Sequence, residues 1–139
     1  MSEASQAEPA DPGLGDPTTT AFWAAARQHR LVIQRCRSCA KHQFYPRPVC
    51  LACESLDLEW VEAGGLATVY SMTTIRVPVM PDLAPPYVLA LVDLDEGPRL
   101  LTNLVGGDFK IGDRVALRWR DRESLPPVPV FGPIRGGSA

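Results

Sequence analysis

Short runs of alternating apolar and polar residues fill the chain from residue 56 onward. The clearest alternation extends from Arg114 to Arg120. There Val115, Leu117 and Trp119 alternate mainly with arginines, a pattern typical of a strand that buries one face. Turns rich in glycine, aspartate and proline separate this run from similar ones. The pattern predicts strands at residues 56–61, 66–75, 87–94, 99–105, 114–120 and 128–131. With little helix between them, such strands favour a small closed β-barrel of about five strands.

Two segments depart from simple alternation. Residues 87–94 are nearly all apolar, which predicts a strand that is buried on both faces. Residues 77–86 contain four prolines, and proline removes the backbone donors that regular strand pairing needs. We therefore predict an irregular loop over residues 77–86.

The N-terminal part predicts one short helix, at residues 21–30. This segment is rich in alanine, and three threonines before it offer an N-cap. Because so short a helix is unstable alone, its Phe22 and Trp23 must pack against another surface, which is either the core of this chain or a partner. A β-branched strand at residues 31–35 then leads towards the first cysteine.

The composition of the two ends sets them apart from the folded part. The first residues are small, acidic and rich in Ala, Pro and Gly, and bury too little apolar surface to offset the entropy of ordering. The predicted division is a disordered tail at 1–17, the helix and lead-in strand at 18–34, a zinc ribbon at 35–60, a barrel at 61–132 and a flexible tail at 133–139.

All four cysteines lie in two C-x-x-C pairs with ten residues between the pairs: Cys36, Cys39, Cys50 and Cys53. Two such turns direct four thiolates at one centre and close the tetrahedral site that structural zinc prefers. Soft thiolates select zinc or iron over calcium and magnesium, and we expect zinc. The alternatives are disulfides or redox-active thiols, but nothing resembles a secretory leader or a βαβ pattern. With four thiolates available, we expect His42 to be a solvated loop residue.

The formal net charge of −2 hides an uneven distribution. The first twenty residues carry only acids, whereas residues 27–47 carry six basic residues and no acid, which predicts a positive field around the cysteines. No apolar run approaches the ~20 residues that span a bilayer, so we expect no membrane segment and a cytoplasmic location. Phosphate-loop and dinucleotide motifs are missing, and we expect no catalysis by this chain alone.

Two binding hypotheses follow from these residues. A zinc ribbon and small barrel with Phe44, Tyr45 and Arg47 would suit single-stranded nucleic acid, through stacking and phosphate contacts. The net charge of −2 argues against this partner. A compact basic patch equally suits a phosphorylated small molecule such as coenzyme A, whose adenine needs an apolar face.

In combination these motifs resemble the zinc-ribbon OB-fold family that is encoded beside thiolases, long classed as a domain of unknown function. The resemblance covers residues 18–131 and rests on Phe22-Trp23, residues 31–39, Phe44-Tyr45-Pro46-Arg47, the second cysteine pair, and residues 65–74, 97–105 and 111–115. It implies a mainly β fold, in which a short N-terminal helix precedes a rubredoxin-like zinc ribbon and a five-stranded OB-fold barrel.

The resemblance also implies a function. Such chains are non-catalytic subunits of thiolase-like enzymes that act on acyl-CoA, either aldolases of the steroid side-chain type or thiolases and synthases that form carbon–carbon bonds. The implied assembly is a hetero-oligomer, such as a heterotetramer, with acyl-CoA at the interface and the catalytic residues on the partner.

For this chain, the expected docking residues are Phe22 and Trp23. We expect the ribbon–barrel junction to shape the CoA channel, and the junction residues are Lys41, Phe44, Tyr45 and Arg47. The alternative for Phe44 and Tyr45 is a hairpin that packs only on its own barrel.

Overall fold

The computed structural model describes residues 17–134. In this range a 3₁₀ turn at Pro17–Thr19 leads into one α-helix, and eight strands follow. The elements are α1 (Thr20–Ala26), β1 (Val32–Cys36), β2 (His42–Gln43), β3 (Leu58–Glu62), β4 (Leu66–Ile75), β5 (Tyr87–Leu94), β6 (Arg99–Leu104), β7 (Arg114–Arg120) and β8 (Val128–Pro133). The predicted tails lie outside the described residues, except for Pro17, Pro133 and Ile134.

The α1 helix ends at Ala26, four residues before the predicted end. The His29 N–H donates to Ala26 O (2.8 Å), and the Arg30 N–H donates to Ala25 O (3.0 Å). With the His29 φ of 59°, these bonds form a Schellman motif, which ends a helix through a residue in the left-handed region. The predicted end was wrong because glycine, not histidine, usually marks that position. No helix among residues 17–134 is long and apolar enough to cross a membrane.

The ribbon is built on a three-stranded antiparallel sheet with β1 in the middle. Strand β1 pairs with β3 from Val32–Glu62 to Cys36–Leu58, and with β2 at Gln34–Gln43. The strand predicted at residues 56–61 therefore belongs to the ribbon, and the predicted ribbon–barrel boundary at residue 60 falls inside β3. Because β1 ends on Cys36 itself, the sheet fixes where the first sulfur lies.

The other five strands close into a barrel in the order β4-β5-β6-β8-β7, which confirms the predicted five-stranded barrel. Its neighbouring strands are antiparallel except for β6 and β8, which pair in parallel at Leu104 and Phe131. The β4–β5 register shifts between Val69 and Ser71. Such a bulge bends a strand, which lets β4 pair with β5 along its length and with β7 at its start.

Helix, ribbon and barrel share one apolar core. Alternate residues of the barrel strands point inward, and the barrel contributes Ala67, Val69, Ala90, Val92, Leu94, Leu100, Leu104, Val115 and Phe131. Phe22 of α1, Leu31, Ile33 of β1 and Ala63 belong to the same cluster. The ribbon sheet and the helix are therefore held against the barrel by continuous hydrophobic contact.

Strand β5 is buried on one face only, so the prediction of two buried faces was half wrong. Ala90, Val92 and Leu94 are buried, whereas Leu89 and Leu91 on the other face are partly exposed. The prediction of an irregular loop is confirmed, since residues 76–86 contain one isolated bridge and no strand.

Candidate metal centre and ribbon–barrel cleft

The two C-x-x-C segments adopt the same backbone turn. In the first, the Ala40 N–H donates to Cys36 O, and in the second the Glu54 N–H donates to Cys50 O, both at 2.8 Å. Ala40 and Glu54 also share a left-handed backbone, with φ of 69° and 68°. Each turn therefore presents its two sulfurs in the same way, and the two turns face each other.

The four sulfurs converge on one centre. All four Sγ atoms lie within 4.8 Å of one another. Cys36 Sγ is 3.6 Å from Cys53 Sγ, and Cys39 Sγ is 3.7 Å from Cys50 Sγ. These separations are far longer than an S–S bond of ~2.05 Å, so the sulfurs form a cluster of free thiols. His42 is outside this cluster. It lies on β2 and is half-buried, so the prediction of a solvated loop residue was wrong.

Hydrogen bonds to sulfur prepare part of the cluster for ionisation. The N–H groups of Cys39 and Ser38 lower the pKa of Cys36 to about 6. The corresponding N–H groups of the second turn lower the pKa of Cys50. At Cys53 one backbone N–H lowers the pKa, but hydrogen bonding with the other sulfurs raises it to about 12. Metal capture by such a cluster therefore displaces protons from the thiols that are not yet ionised.

The donor set fits zinc. Four soft sulfur ligands in two rigid turns match the closed tetrahedral geometry of structural zinc sites, which leave no open position. Zinc bound here would join the end of β1 to the loop before β3, a segment with little regular structure of its own. The chemistry that it would supply is structural cross-linking.

Acids of β3 and the turn before it neutralise part of the basic stretch around the cysteines. Glu59 lies 2.6 Å from Arg35 and 3.3 Å from Arg37, and Asp57 lies 2.9 Å from Arg37. Hydrogen bonding from Arg35 lowers the pKa of Glu59, with a smaller contribution from Arg37. A further pair joins Arg30 to the end of β3. The expected positive field is weaker than the sequence predicted, because β3 lies directly beside these arginines.

Two buried glutamines, which sequence reasoning missed, hold the loop after β2. Gln34 Oε1 accepts hydrogen bonds from Gln43 Nε2 (2.9 Å) and from the Arg47 N–H (2.8 Å), and Gln34 Nε2 donates to Arg47 O (2.9 Å). Gln43 Oε1 accepts from the Leu51 N–H at 3.0 Å. The network fixes the backbone of residues 44–51 and thereby the direction of Phe44 and Tyr45. Polar residues within a strand gave no signal that they would be buried.

The predicted aromatic residues meet at one place. The centroid of the Phe22 ring lies 4.7 Å from that of Trp23 and 5.5 Å from that of Phe44. The centroids of the Phe44 and Tyr45 rings are also 5.5 Å apart. Phe22 is only 3% exposed, because it fills the shared core. The docking role expected for Phe22 is therefore corrected, since its side chain presents almost no surface to a partner. Trp23 is partly exposed and Tyr45 is 41% exposed.

A cleft of about 380 Å³ opens where helix, ribbon and barrel meet, and we call it the junction cleft. Its walls include Trp23, Phe44, Tyr45, Met80, Leu101 and Pro129. Of the four predicted junction residues, Phe44 and Tyr45 line it. Lys41 lies instead in a separate polar recess with His42 and Glu96, and Arg47 lines neither. The predicted set therefore does not converge.

Two arginines on the junction cleft were missed. Arg120 at the end of β7 and Arg122 just after it both line the cleft. The alternating pattern places Arg120 on the polar face of its strand, together with Arg114 and Arg118. No sequence signal distinguishes Arg120 from Arg114 and Arg118. Of these three, only Arg120 lines the cleft, because of its position relative to the helix and the ribbon.

Comparisons with known proteins match both parts of the chain. The family model "ChsH2, rubredoxin-like zinc ribbon domain" matches residues 23–59, and the model "ChsH2, C-terminal OB-fold domain" matches residues 60–120. Together with the four clustered cysteines, the first match agrees with a structural zinc site.

Similar proteins include a probable enoyl-CoA hydratase alpha subunit from Thermomonospora curvata, 46% identical over 81% of this chain and 37% of the relative. The chain thus spans little more than a third of that relative. A DUF35 domain-containing scaffold protein from Pyrococcus furiosus is 34% identical over 66% of this chain and 68% of the relative. A chain of the solved Ltp2-ChsH2(DUF35) aldolase is 42% identical, with a TM-score of 0.78 over 85% of this chain and 95% of that chain.

Proposed function

Because this chain belongs to the DUF35 family, we propose that it is a non-catalytic accessory subunit of a thiolase-like acyl-CoA enzyme. The observation that carries the proposal is its likeness, over 95% of the matched chain, to a component of the Ltp2-ChsH2(DUF35) aldolase. Another relative is named a scaffold protein, which supports the accessory role. A third is named an enoyl-CoA hydratase alpha subunit, which supports a CoA-linked substrate.

In this proposal the ribbon has a structural task. Zinc on Cys36, Cys39, Cys50 and Cys53 holds the two turns together. The glutamine network then fixes the loop that carries Phe44 and Tyr45. The sulfurs are thus used for shape, and the reacting groups come from the partner.

The partner docks beside the junction cleft. Trp23 is held by edge-to-face packing on the buried Phe22 ring, so it is a rigid aromatic group at the surface. Tyr45, Met80 and Leu101 are 41%, 38% and 63% exposed and border the same cleft. A contiguous apolar surface of this kind is typical of a protein interface. The acyl-CoA substrate lies between the two chains, with Phe44 and Tyr45 forming part of its channel.

Affinity purification from the native cell tests this proposal. The tagged full chain is expected to retain a thiolase-like acyl-CoA enzyme, identified by mass spectrometry. Replacing Tyr45 with alanine should lower the recovery of that enzyme at least about tenfold, because exposed aromatic groups dominate interface energies. Tyr70→Ala is the matched control, since Tyr70 is 49% exposed and does not line the cleft.

Either of two results would contradict the proposal. One is a chain that retains no acyl-CoA enzyme, and the other is equal recovery with Tyr45→Ala. A chain that instead shifts labelled single-stranded nucleic acid would favour the alternative function. The ion pairs of Arg35 and Arg37 with Glu59 leave less free basic surface for such binding.

A further inference from the structure

Buried hydrogen-bond donors without an acceptor are concentrated at the junction cleft. Among the described residues, four buried side-chain N or O atoms have no hydrogen-bond partner, and three of them are Trp23 Nε1, Arg120 Nε and Arg122 Nη2. All three of these residues line the junction cleft. Because a buried unpaired donor costs free energy and is rare in native proteins, three at one cleft indicate that an acceptor belongs there.

The charge at the cleft points the same way. Asp82 lies 3.1 Å from Arg120, whereas Arg122 Nε donates to the neutral Pro126 carbonyl at 2.8 Å. The described residues give Arg122 no ion pair, so two guanidinium groups face one carboxylate. Burial lowers the pKa of Arg122 in spite of the opposing effect of Asp82. A desolvated positive charge with free donors is complementary to an anion.

The walls of the cleft show what else the ligand carries. Phe44, Leu101 and Pro129 give the cleft an apolar surface beside the arginines. Its volume of about 380 Å³ lies within the range of small-molecule sites. A small inorganic anion would leave this apolar surface exposed to water. The ligand that fits the cleft best therefore carries an anionic group on an apolar moiety.

We propose that the junction cleft binds an amphipathic anion, whose apolar body lies on the aromatic and leucine walls and whose oxyanion accepts hydrogen bonds from Arg120 and Arg122. Carboxylate and phosphate share this chemistry. The Asp82 carboxylate already accepts a hydrogen bond from Arg120 Nη1 at 3.1 Å. The Asp82–Arg120 ion pair therefore competes with the ligand.

Isothermal titration of the full zinc-loaded chain with octanoate, octyl phosphate and 1-octanol tests the proposal. At least one of the two anions is expected to bind at least about tenfold more tightly than the neutral alcohol, because charge-assisted hydrogen bonds form only with the anions. Comparison of the two anions identifies the head group. Equal binding of octanol, or no binding of either anion, would overturn the proposal.

Variants separate a ligand site from a merely structural arginine pair. Arg122→Gln should weaken anion binding about tenfold or more, and Asp82→Asn should strengthen it by removing the competing carboxylate. Arg118→Gln is the matched control, because the Arg118 guanidinium is paired with the Leu117 and Pro133 carbonyls and lies off the cleft. Unchanged affinity in both cleft variants would refute the assignment. If a variant does not fold, the comparison of octanoate with octanol on the unaltered chain still decides.

The inference rests on the proposed function only for the nature of the ligand in the cell, which would be the substrate held between this chain and its partner. The titration uses the chain alone, so it succeeds or fails independently of partner capture. Anion binding without a partner would remove the accessory role and keep the site. If the chain captures a partner but binds no anion, the accessory role is kept and the anion site is rejected.

Discussion

Replacing Cys39 with serine is expected to abolish zinc binding and to unfold the ribbon. A serine hydroxyl does not supply the thiolate that structural zinc sites use, and three remaining ligands leave the site open. The ribbon depends on the metal because β2 has only two residues and residues 44–57 form no strand. The unaltered chain should contain about one zinc ion, and the variant almost none, by elemental analysis of the purified proteins. Circular dichroism should show the accompanying loss of ribbon structure.

The control for this prediction is His42→Ala. His42 lies between the cysteine pairs but outside the sulfur cluster, so this variant should keep its full zinc content. A Cys39→Ser protein with undiminished zinc would contradict the four-sulfur site. Loss of zinc in His42→Ala would show that the imidazole takes part in it.

Replacing Phe131 with alanine is expected to lower the free energy of unfolding by about 3–5 kcal/mol. Phe131 is 0% exposed and is among the largest fully buried side chains. It lies on β8, which pairs with β6 on one side and β7 on the other and thereby closes the barrel. The truncation removes apolar burial and leaves a cavity at that closure. Denaturant unfolding of the zinc-loaded protein measures the change.

Leu101→Ala provides the comparison for Phe131→Ala. Leu101 lies on the neighbouring strand β6 but is 63% exposed, so its truncation should change stability by no more than about 0.5 kcal/mol. A loss of less than about 1 kcal/mol for Phe131→Ala would mean that β8 does not close the core as described.

The metal centre could be predicted from sequence because its geometry is local. Each C-x-x-C turn is fixed within five residues by one backbone hydrogen bond and one left-handed residue. The barrel strands were predictable for a similar reason. A strand with one buried face must alternate, and β7 does so with Val115 in the core.

The errors arose where distant segments decide the outcome. The fate of Phe22 depends on Leu31, Ile33 and barrel residues that complete the core around it. The pairing of β3 with β1 joins segments on either side of the cysteine loops. The local pattern shows only that an apolar face must be buried. It does not show which distant segment of the chain packs against Phe22 or pairs with β3.

The junction cleft shows the same limit most clearly. Lys41 and Phe44 are close in sequence but line different recesses. Arg47 is predicted at the ribbon–barrel junction, but Gln34 binds both its backbone N–H and its carbonyl, and the exposed residue does not line the cleft. Arg120 and Arg122 line the cleft together with Trp23 of α1 and Phe44 of the ribbon loop, residues that are distant from them in sequence.

Reconstitution of acyl-CoA carbon–carbon bond cleavage or formation is the decisive experiment for the accessory-subunit function. The thiolase-like partner identified by affinity purification is assayed alone, with this chain, and with the Cys39→Ser variant, and the chain is also assayed alone. The accessory-subunit account predicts turnover only when the partner and the zinc-loaded chain are both present. Turnover by this chain unaided, or full activity of the partner without it, would contradict the account.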